Sequence, residues 1–460
     1  MENLCCVNSL VGRHRLQIEI DFEGPLRNCL LSCCTAVARG RRTARDLAIA
    51  IEPRFNALIC VNDETFLSPQ RRAAAPYRCS RRALGKQAQP QNVLLPPRGY
   101  ALQRIRQMGE ECNRVVQVRR FGSPDELQVV DTPMPSARRG EVRVRVLASG
   151  IEYTDVVIRR HLYPQTMFLR PPFVMGYGLV GEIDQLGDQV SDFHVGDRVA
   201  DLTVVGSNAA YRTLRAKDLA RVPTRVDVAA AAALILSWTT AYQLLHRSAR
   251  VRRDQRVLVH GAAGAVGQAL LVLGKLAGLE LWGTARGEHA TLVRELGGTP
   301  IDYQREDFTR VVPSGFDVVF DGIGEDGFRR SFAALKPGGV LCAYGYTANV
   351  QAQSRLPSIL LLLLRVYLWQ RFLSLLPGGK QPRIYSINLM RTLRPAWFRE
   401  DLERLFGLLE TRAIQPCIAE RISFDEVAEA HRRLEAGGLD GKLVLVPGAP
   451  VVTQPRVAAA

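Results

Sequence analysis

Residues 256–267, Arg-Val-Leu-Val-His-Gly-Ala-Ala-Gly-Ala-Val-Gly, constrain the fold of this chain more than any other stretch. Val257, Leu258 and Val259 make a short apolar run of the kind found in a buried strand. Glycines at 261, 264 and 267 follow. Residues 268–277 then carry Leu270, Leu271, Leu273 and Leu276 at spacings that give a helix an apolar face. Strand, glycine turn and helix, in that order, are the setting in which free backbone N–H groups and a helix dipole meet a phosphate. On the dinucleotide fingerprint G-x-G-x-x-G, Gly264 and Gly267 take the second and third places and Ala262 the first. Taken alone, the triplet also suits a plain strand-to-helix turn.

The flanks decide between these. Downstream, strands at 279–284, 300–303, 316–321 and 340–344 alternate with helices at 289–296 and 327–335. Such alternation predicts a parallel sheet with helices on both faces. Upstream, short runs at 115–118, 127–130, 141–147, 180–183, 198–202 and 210–213 predict a β-rich domain, and Glu141-Val-Arg-Val-Arg-Val-Leu147 alternates with period two. Between the two parts, 227–235 and 237–245 read as two helical pieces. Past the alternating region, 383–389 reads as a final edge strand and 397–409 as an amphipathic helix. A second helix at 424–436 has Ser423 as N-cap and Glu426 in the capping-box position, and 441–446 reads as a closing strand.

Composition narrows the partners. The formal net charge is +16, most of it from arginine. No nucleic-acid-binding motif accompanies it, so nucleic acid is not expected as a partner. Eight of the ten cysteines precede residue 113, without the second matched pair that a zinc site needs. Met1-Glu2 opens no signal-peptide pattern, and a reduced, cytoplasmic chain is expected. Residues 1–112 are rich in arginine and cysteine and show no repeated strand–helix pattern. They read as a basic disordered tail, a small accessory domain, or sequence upstream of a natural start at Met108. The run 356–376 is intensely apolar, but Arg365, Gln370 and Arg371 fall inside it, which argues against a spanning helix. A helix that covers the cleft, packs in a dimer or dips into a membrane surface is expected there.

The motifs in order resemble the medium-chain dehydrogenase/reductases, specifically the zinc-independent quinone oxidoreductase branch. They are Ser149-Gly-Ile-Glu-Tyr-Thr-Asp155, Pro171-Pro-Phe-Val-Met-Gly-Tyr-Gly178, Val195-Gly-Asp-Arg-Val199, Thr239-Thr-Ala-Tyr242, His260-Gly-Ala-Ala-Gly-Ala-Val-Gly267, Ile301-Asp-Tyr303, Leu335-Lys-Pro-Gly-Gly339 and Gly441-Lys-Leu-Val-Leu-Val446. Leu375-Leu-Pro-Gly-Gly-Lys380, Arg383-Ile-Tyr-Ser-Ile387 and Trp397-Phe-Arg-Glu-Asp-Leu402 resemble the synaptic-vesicle-membrane-protein-like members. The resemblance implies an α/β fold: a GroES-like β-rich domain plus a Rossmann doubly wound parallel sheet, behind an N-terminal extension of unknown or disordered structure. The implied division is 1–112 extension, 113–235 first part of the GroES-like substrate domain, and 236–390 Rossmann domain with the apolar insertion 356–376. Residues 391–447 return to the substrate domain, and 448–460 form a tail. It also implies a homodimer, often paired through the last edge strand.

For the site, the resemblance implies the following. Zinc-dependent relatives place a Cys near Gly150 or Ile151 and a His-Glu pair at Tyr177-Gly178; neither is present, so no metal is expected. The turn Gly261, Ala262, Ala263, Gly264, Ala265, Val266 and Gly267 would carry the pyrophosphate, with Ala262 as the branch's own variant. No acid precedes Glu288 at the end of the second strand, where an NAD site needs one for the ribose hydroxyl. Arg286 is placed for a 2′-phosphate instead, with His289 and Tyr303 beside it, so the cofactor is expected to be NADPH. Thr240, Gly322 and Tyr344 would frame the nicotinamide, and Lys442 would hold cofactor or substrate. Glu152 stands where relatives often carry Asn. If buried, its pKa should rise, and it is either a proton donor or a sign of an altered site. Asp155, Tyr153 and Tyr177 complete the candidate catalytic set, each tyrosine being also a plausible aromatic wall. The expected reaction is hydride transfer from NADPH to a small electrophile, a quinone or an α,β-unsaturated carbonyl. A non-catalytic NADPH-binding protein with a membrane-associated or structural role is the rival reading.

Overall fold

A computed structural model of the chain describes residues 4–11, 14–21, 112–352, 356–373, 379–439 and 441–447. Contacts divide the chain into two units, Met1–Asn92 and Val93–Ala460. In the first, Leu4–Val11 and His14–Asp21 pair as an antiparallel hairpin in continuous register, Leu4 opposite Asp21 and Val11 opposite His14. The sequence shows no repeated strand–helix pattern in this region and leaves its fold open. The remainder of the 1–112 reading, apart from Cys112, and the tail 448–460 lie outside the described residues.

The second unit contains two sheet systems. One is a six-stranded parallel sheet in the order Thr299–Asp302, Glu280–Ala285, Arg256–His260, Phe316–Asp321, Leu335–Ala343, Gln381–Ile384. Val257, Leu258 and Val259 are fully buried in its centre, as strands covered on both faces require. Strand order reverses between Arg256–His260 and Phe316–Asp321, and the carboxyl ends there open the crevice where such sheets bind ligands.

The other system is β-rich. Ala220–Arg221, Arg198–Leu202, Gly178–Leu186, Glu141–Gly150, Lys442–Leu445 and Ile418–Ile422 follow one another, and Tyr211–Arg215 also pairs with Glu141–Gly150. A three-stranded sheet of Leu127–Pro133, Cys112–Val118 and Phe173–Val174 lies beside it. Val142, Val144 and Val146 point into the core along the alternating strand. The closing strand pairs Val444 with Gly150 and Leu445 with Ser149, so the chain end returns to the β-rich part. The GroES-like and Rossmann-type architecture is therefore present, and the fold is mixed α/β.

Three elements differ from the sequence reading. The two helical pieces are one continuous run, Val228–Ala249, with wider π-type turns at Leu234–Trp238 and Leu244–Ala249. By length and composition alone it could cross a membrane, but Leu234, Leu244 and Leu245 are wholly buried and the run is a core helix. The edge strand ends at Ile384, and Ser386 then caps a new helix, Ile387–Leu393, its hydroxyl accepting from the Leu389 N–H. The local Ser-x-x cap overrides the apolar run that had suggested continued strand. The phosphate-turn helix begins at Ala265 rather than 268, with Gly264 extended as its N-cap.

The apolar segment forms the helix Leu356–Leu373. Its inner side packs twice: Val366 with Leu362 and Trp369 against the parallel sheet's outer cluster, and Ile359 with Leu363 against Val157, Leu162, Tyr153, Tyr163 and Tyr346. The helix thus leans on the tyrosine-lined side of the cleft. The predicted capping box is present, Glu426 accepting from the Ser423 N–H at 2.8 Å.

Candidate active site

The turn after Arg256–His260 is set by sterics. Gly261 has φ +66°, a left-handed conformation that favours glycine. A Cβ on Gly267 would lie 2.7 Å from Ala262 Cα, so no larger residue lets the helix approach this closely. Ala262 is wholly buried, and a Cβ on Gly283 would meet its methyl at 2.5 Å. Ala262 therefore shapes the turn from behind. Gly264 and Ala265 are exposed at the helix start, where the first-turn N–H groups have no intrahelical acceptor. Together with Ala263 and Val266, half-buried beside them, they form a cradle that suits a pyrophosphate.

A buried network braces this turn. His260 bonds the Thr284 hydroxyl through Nδ1 at 3.0 Å and the Ser331 hydroxyl through Nε2 at 3.1 Å. Ser331 donates to Asp321 at 2.6 Å. The other Asp321 oxygen accepts from the Ile323 and Gly324 N–H groups, which fixes the next loop. Burial holds the His260 pKa below its ordinary value, so the imidazole is neutral.

The structure brings Arg286, His289 and Tyr303 together at the end of the second strand. Glu288 lies 3.5 Å from both the Arg286 guanidinium and the His289 ring. The Tyr303 hydroxyl beside Arg286, and then Glu288, push the guanidinium pKa up. Arg286 and Tyr303 are exposed. Towards the other end of the crevice, the Tyr344 ring lies over Gly322, where a Cβ would sit 2.7 Å from the ring. Burial raises the Tyr344 pKa. Thr240 is buried within reach of the Tyr385 hydroxyl.

Two buried polar clusters lie on the β-rich side. In the first, Glu152 caps the helix Tyr153–Arg159 and is ion-paired with Lys442. Lys442 also donates to Ser237 at 3.0 Å, and Ser237 to the second Glu152 oxygen at 3.2 Å. Asp155 accepts from the Glu152 N–H at 2.9 Å and lies beside the Gly176 backbone N–H. Desolvation raises the Asp155 pKa to about 8. Lys442 is the cation that faces Glu152.

In the second cluster, the Tyr163 and Tyr177 hydroxyls lie 2.6 Å apart. The Asn388 amide donates to them at 2.9 and 2.7 Å, respectively. Burial raises both phenol pKa values, that of Tyr163 to about 12. Tyr163 and Asn388 were missed from sequence. Tyr163 carries no periodic signal, and Asn388 sits on a helix that had read as strand. Tyr153 packs as an aromatic wall against Leu162 and Ile359, and no hydrogen-bond partner faces it among the described residues. Also among those residues, no group of three or more His, Cys, Asp or Glu is placed to hold a metal ion.

A dinucleotide crevice beside a β-rich domain with buried acid and hydroxyl groups defines a two-domain oxidoreductase of the nicotinamide type. Residues 138–224 match the family model described as alcohol dehydrogenase GroES-like domain, and residues 297–445 that described as zinc-binding dehydrogenase. The chain is 30% identical over 340 residues to a quinone oxidoreductase of Pseudomonas aeruginosa, covering 72% of this chain and 99% of that one. It is 28% identical over 347 residues to a 2-haloacrylate reductase of Burkholderia sp., covering 72% and 98%. The human synaptic vesicle membrane protein VAT-1 homolog-like structure superposes with TM-score 0.61 at 25% identity, over 74% of this chain and all of that one. The Escherichia coli quinone oxidoreductase solved with NADPH gives 0.62 at 24% identity, over 73% and 100%. The chain belongs to the medium-chain dehydrogenase/reductase family, and it is an oxidoreductase that works with a nicotinamide cofactor.

Proposed function

We propose that this enzyme is a zinc-independent, NADPH-dependent reductase of quinones or α,β-unsaturated carbonyls. The observation that carries the reading is the hydroxyl pair Tyr163–Tyr177 held by Asn388. Bound NADPH supplies the hydride. The chain's own residues must then meet the charge that develops on the substrate oxygen. Two hydroxyls that share one hydrogen bond keep one O–H proton between them for a third partner. With both pKa values raised, that proton stays on the pair at neutral pH and can be donated to an enolate or quinolate oxygen. Asn388 holds both rings in place from the opposite domain. Lys442 is engaged by Glu152 and Ser237 in the neighbouring cluster.

For the cofactor, Arg286 beside Tyr303 and His289 suits a 2′-phosphate by charge and fork geometry. Arg286→Gln is expected to raise KM for NADPH about tenfold and to leave KM for NADH unchanged. Equal effects on the two cofactors would remove the NADPH assignment. The reaction class is tested by NADPH oxidation with a panel of quinones and enones; tight NADPH binding without turnover on any of them overturns it. The reading extends to a homodimer paired through the last strand in the sheet order, Gln381–Ile384. It extends also to a peripheral membrane contact by the apolar helix.

A further inference from the structure

We infer that the outer face of the helix Leu356–Leu373 is a docking surface for anionic lipid. The inference rests on the peripheral contact proposed above and names the lipid charge and the residues that read it. Leu361, Leu364, Tyr367, Leu368 and Phe372 are 49%, 51%, 51%, 57% and 66% exposed. Positions 361, 364, 365, 368 and 372 recur at helical spacing, so they form one stripe opposite the buried Ile359 and Val366. Arg365 is exposed in the middle of that stripe, and no ion-pair partner faces it among the described residues.

Three arguments select the occupant. The helix is 18 residues long and its sequence includes Arg365 and Arg371, so it suits lying in an interface better than spanning one. Between Asp326 and Glu400 the chain carries eleven lysines and arginines and not one aspartate or glutamate. Some of these cations are engaged, Arg330 with Asp307 and Arg391 with Asp201, but the stretch as a whole offers positive charge with no carboxylate of its own. A second copy meeting the same face would set Arg365 against leucines or against its own symmetry mate, with no acid on the helix to receive it. An anionic membrane surface accepts each part: leucines and Phe372 enter the acyl boundary, Tyr367 sits at headgroup level, and Arg365 reaches a phosphate or carboxylate.

The test is co-sedimentation of the full chain with phosphatidylcholine vesicles, with and without about one third phosphatidylserine, and NADPH turnover is measured in parallel as a control for folding. Binding is expected on the anionic vesicles and is expected to weaken as salt rises. Arg365→Gln should weaken it about fivefold, the equivalent of about 1 kcal/mol per cation at such a surface. Leu361→Ser with Leu368→Ser should abolish it, and neither change should alter turnover. Equal binding to neutral and anionic vesicles overturns the charge reading while the peripheral contact stands. No binding to either overturns both. Loss of a dimer in the leucine variant, without vesicle binding by the parent, assigns the face to a second copy.

Discussion

The two buried polar clusters flanking the cleft are built on opposite rules. Around Glu152, Lys442 and Ser237, charged groups are matched to one another, and the strong donors and acceptors are spent inside the cluster. Around Tyr163, Tyr177 and Asn388, every group is neutral, and the hydrogen-bond count leaves one hydroxyl proton without an assigned acceptor. The first arrangement holds structure: it ties the first turn of Tyr153–Arg159 to the returning strand Lys442–Leu445 and to the core helix. The second can act on a substrate. Burial alone does not separate the two; what separates them is whether the protons are already committed.

Breaking the ion pair should have the largest effect. Lys442→Met leaves Glu152 buried without a cation, beside Asp155, and is expected to cost about 3–5 kcal/mol of unfolding free energy in a urea titration. Glu152→Gln in the same background should recover most of that loss, because the uncompensated charge goes with it. A cost below about 1 kcal/mol for the single change would mean that the cluster is not matched as argued. Next comes Tyr177→Phe, which removes one of the two hydroxyls. Turnover is expected to fall about 10²–10³-fold, as for a lost oxyanion donor, with stability changed by only about 1 kcal/mol. Tyr163→Phe should match it, and the double variant should be little worse than either, because the pair acts as a unit. Turnover within a few-fold of the parent would reduce both rings to packing.

What the sequence revealed follows the same division. The glycine turn was legible because sterics wrote it locally: Gly261 needs its left-handed backbone, and Gly267 needs its missing Cβ. The parallel sheet was legible because its strands and helices alternate in order along the chain. Arg286, His289 and Tyr303 could be placed because each follows a predictable strand. Ala262 was placed at the pyrophosphate by motif, yet its methyl faces Gly283 in the core, a contact that arises only once two strands pair. The hydroxyl pair was half seen. Tyr177 stood in a recognised motif, but Tyr163 lies in an irregular stretch and Asn388 lies more than two hundred residues away, so their meeting depends on two domains closing on each other. The Glu152–Lys442 pair has the same origin, since residues at opposite ends of the β-rich part meet only when the last strand comes home. Glu152 is buried, and its partner is the part that no local pattern encodes.

The remaining question is the net charge of the first cluster, and it is set by Asp155. Desolvation raises this carboxyl from its ordinary range to about 8, so in the folded chain it holds a proton at pH 7 that the unfolded chain has released. The folded state then binds more protons than the unfolded state between about pH 4 and 8. The stability that this proton confers is fully present below the ordinary carboxylate pKa and is lost as pH rises through about 8. Relative to Asp155→Asn, the parent should therefore lose stability across that window, by up to about 1.4 kcal/mol per pH unit, and the difference should level off above it. Denaturant midpoints at pH 5, 6, 7 and 8 for both proteins measure the slope. With that slope, Glu152 and Lys442 form a neutral pair beside a neutral acid, and both clusters at the cleft carry no net charge. A flat difference, or one of opposite sign, means that Asp155 is ionised in the folded chain. The first cluster would then hold one negative charge that Lys442 does not cancel, and that charge would raise the energy of any anion formed at the neighbouring hydroxyls.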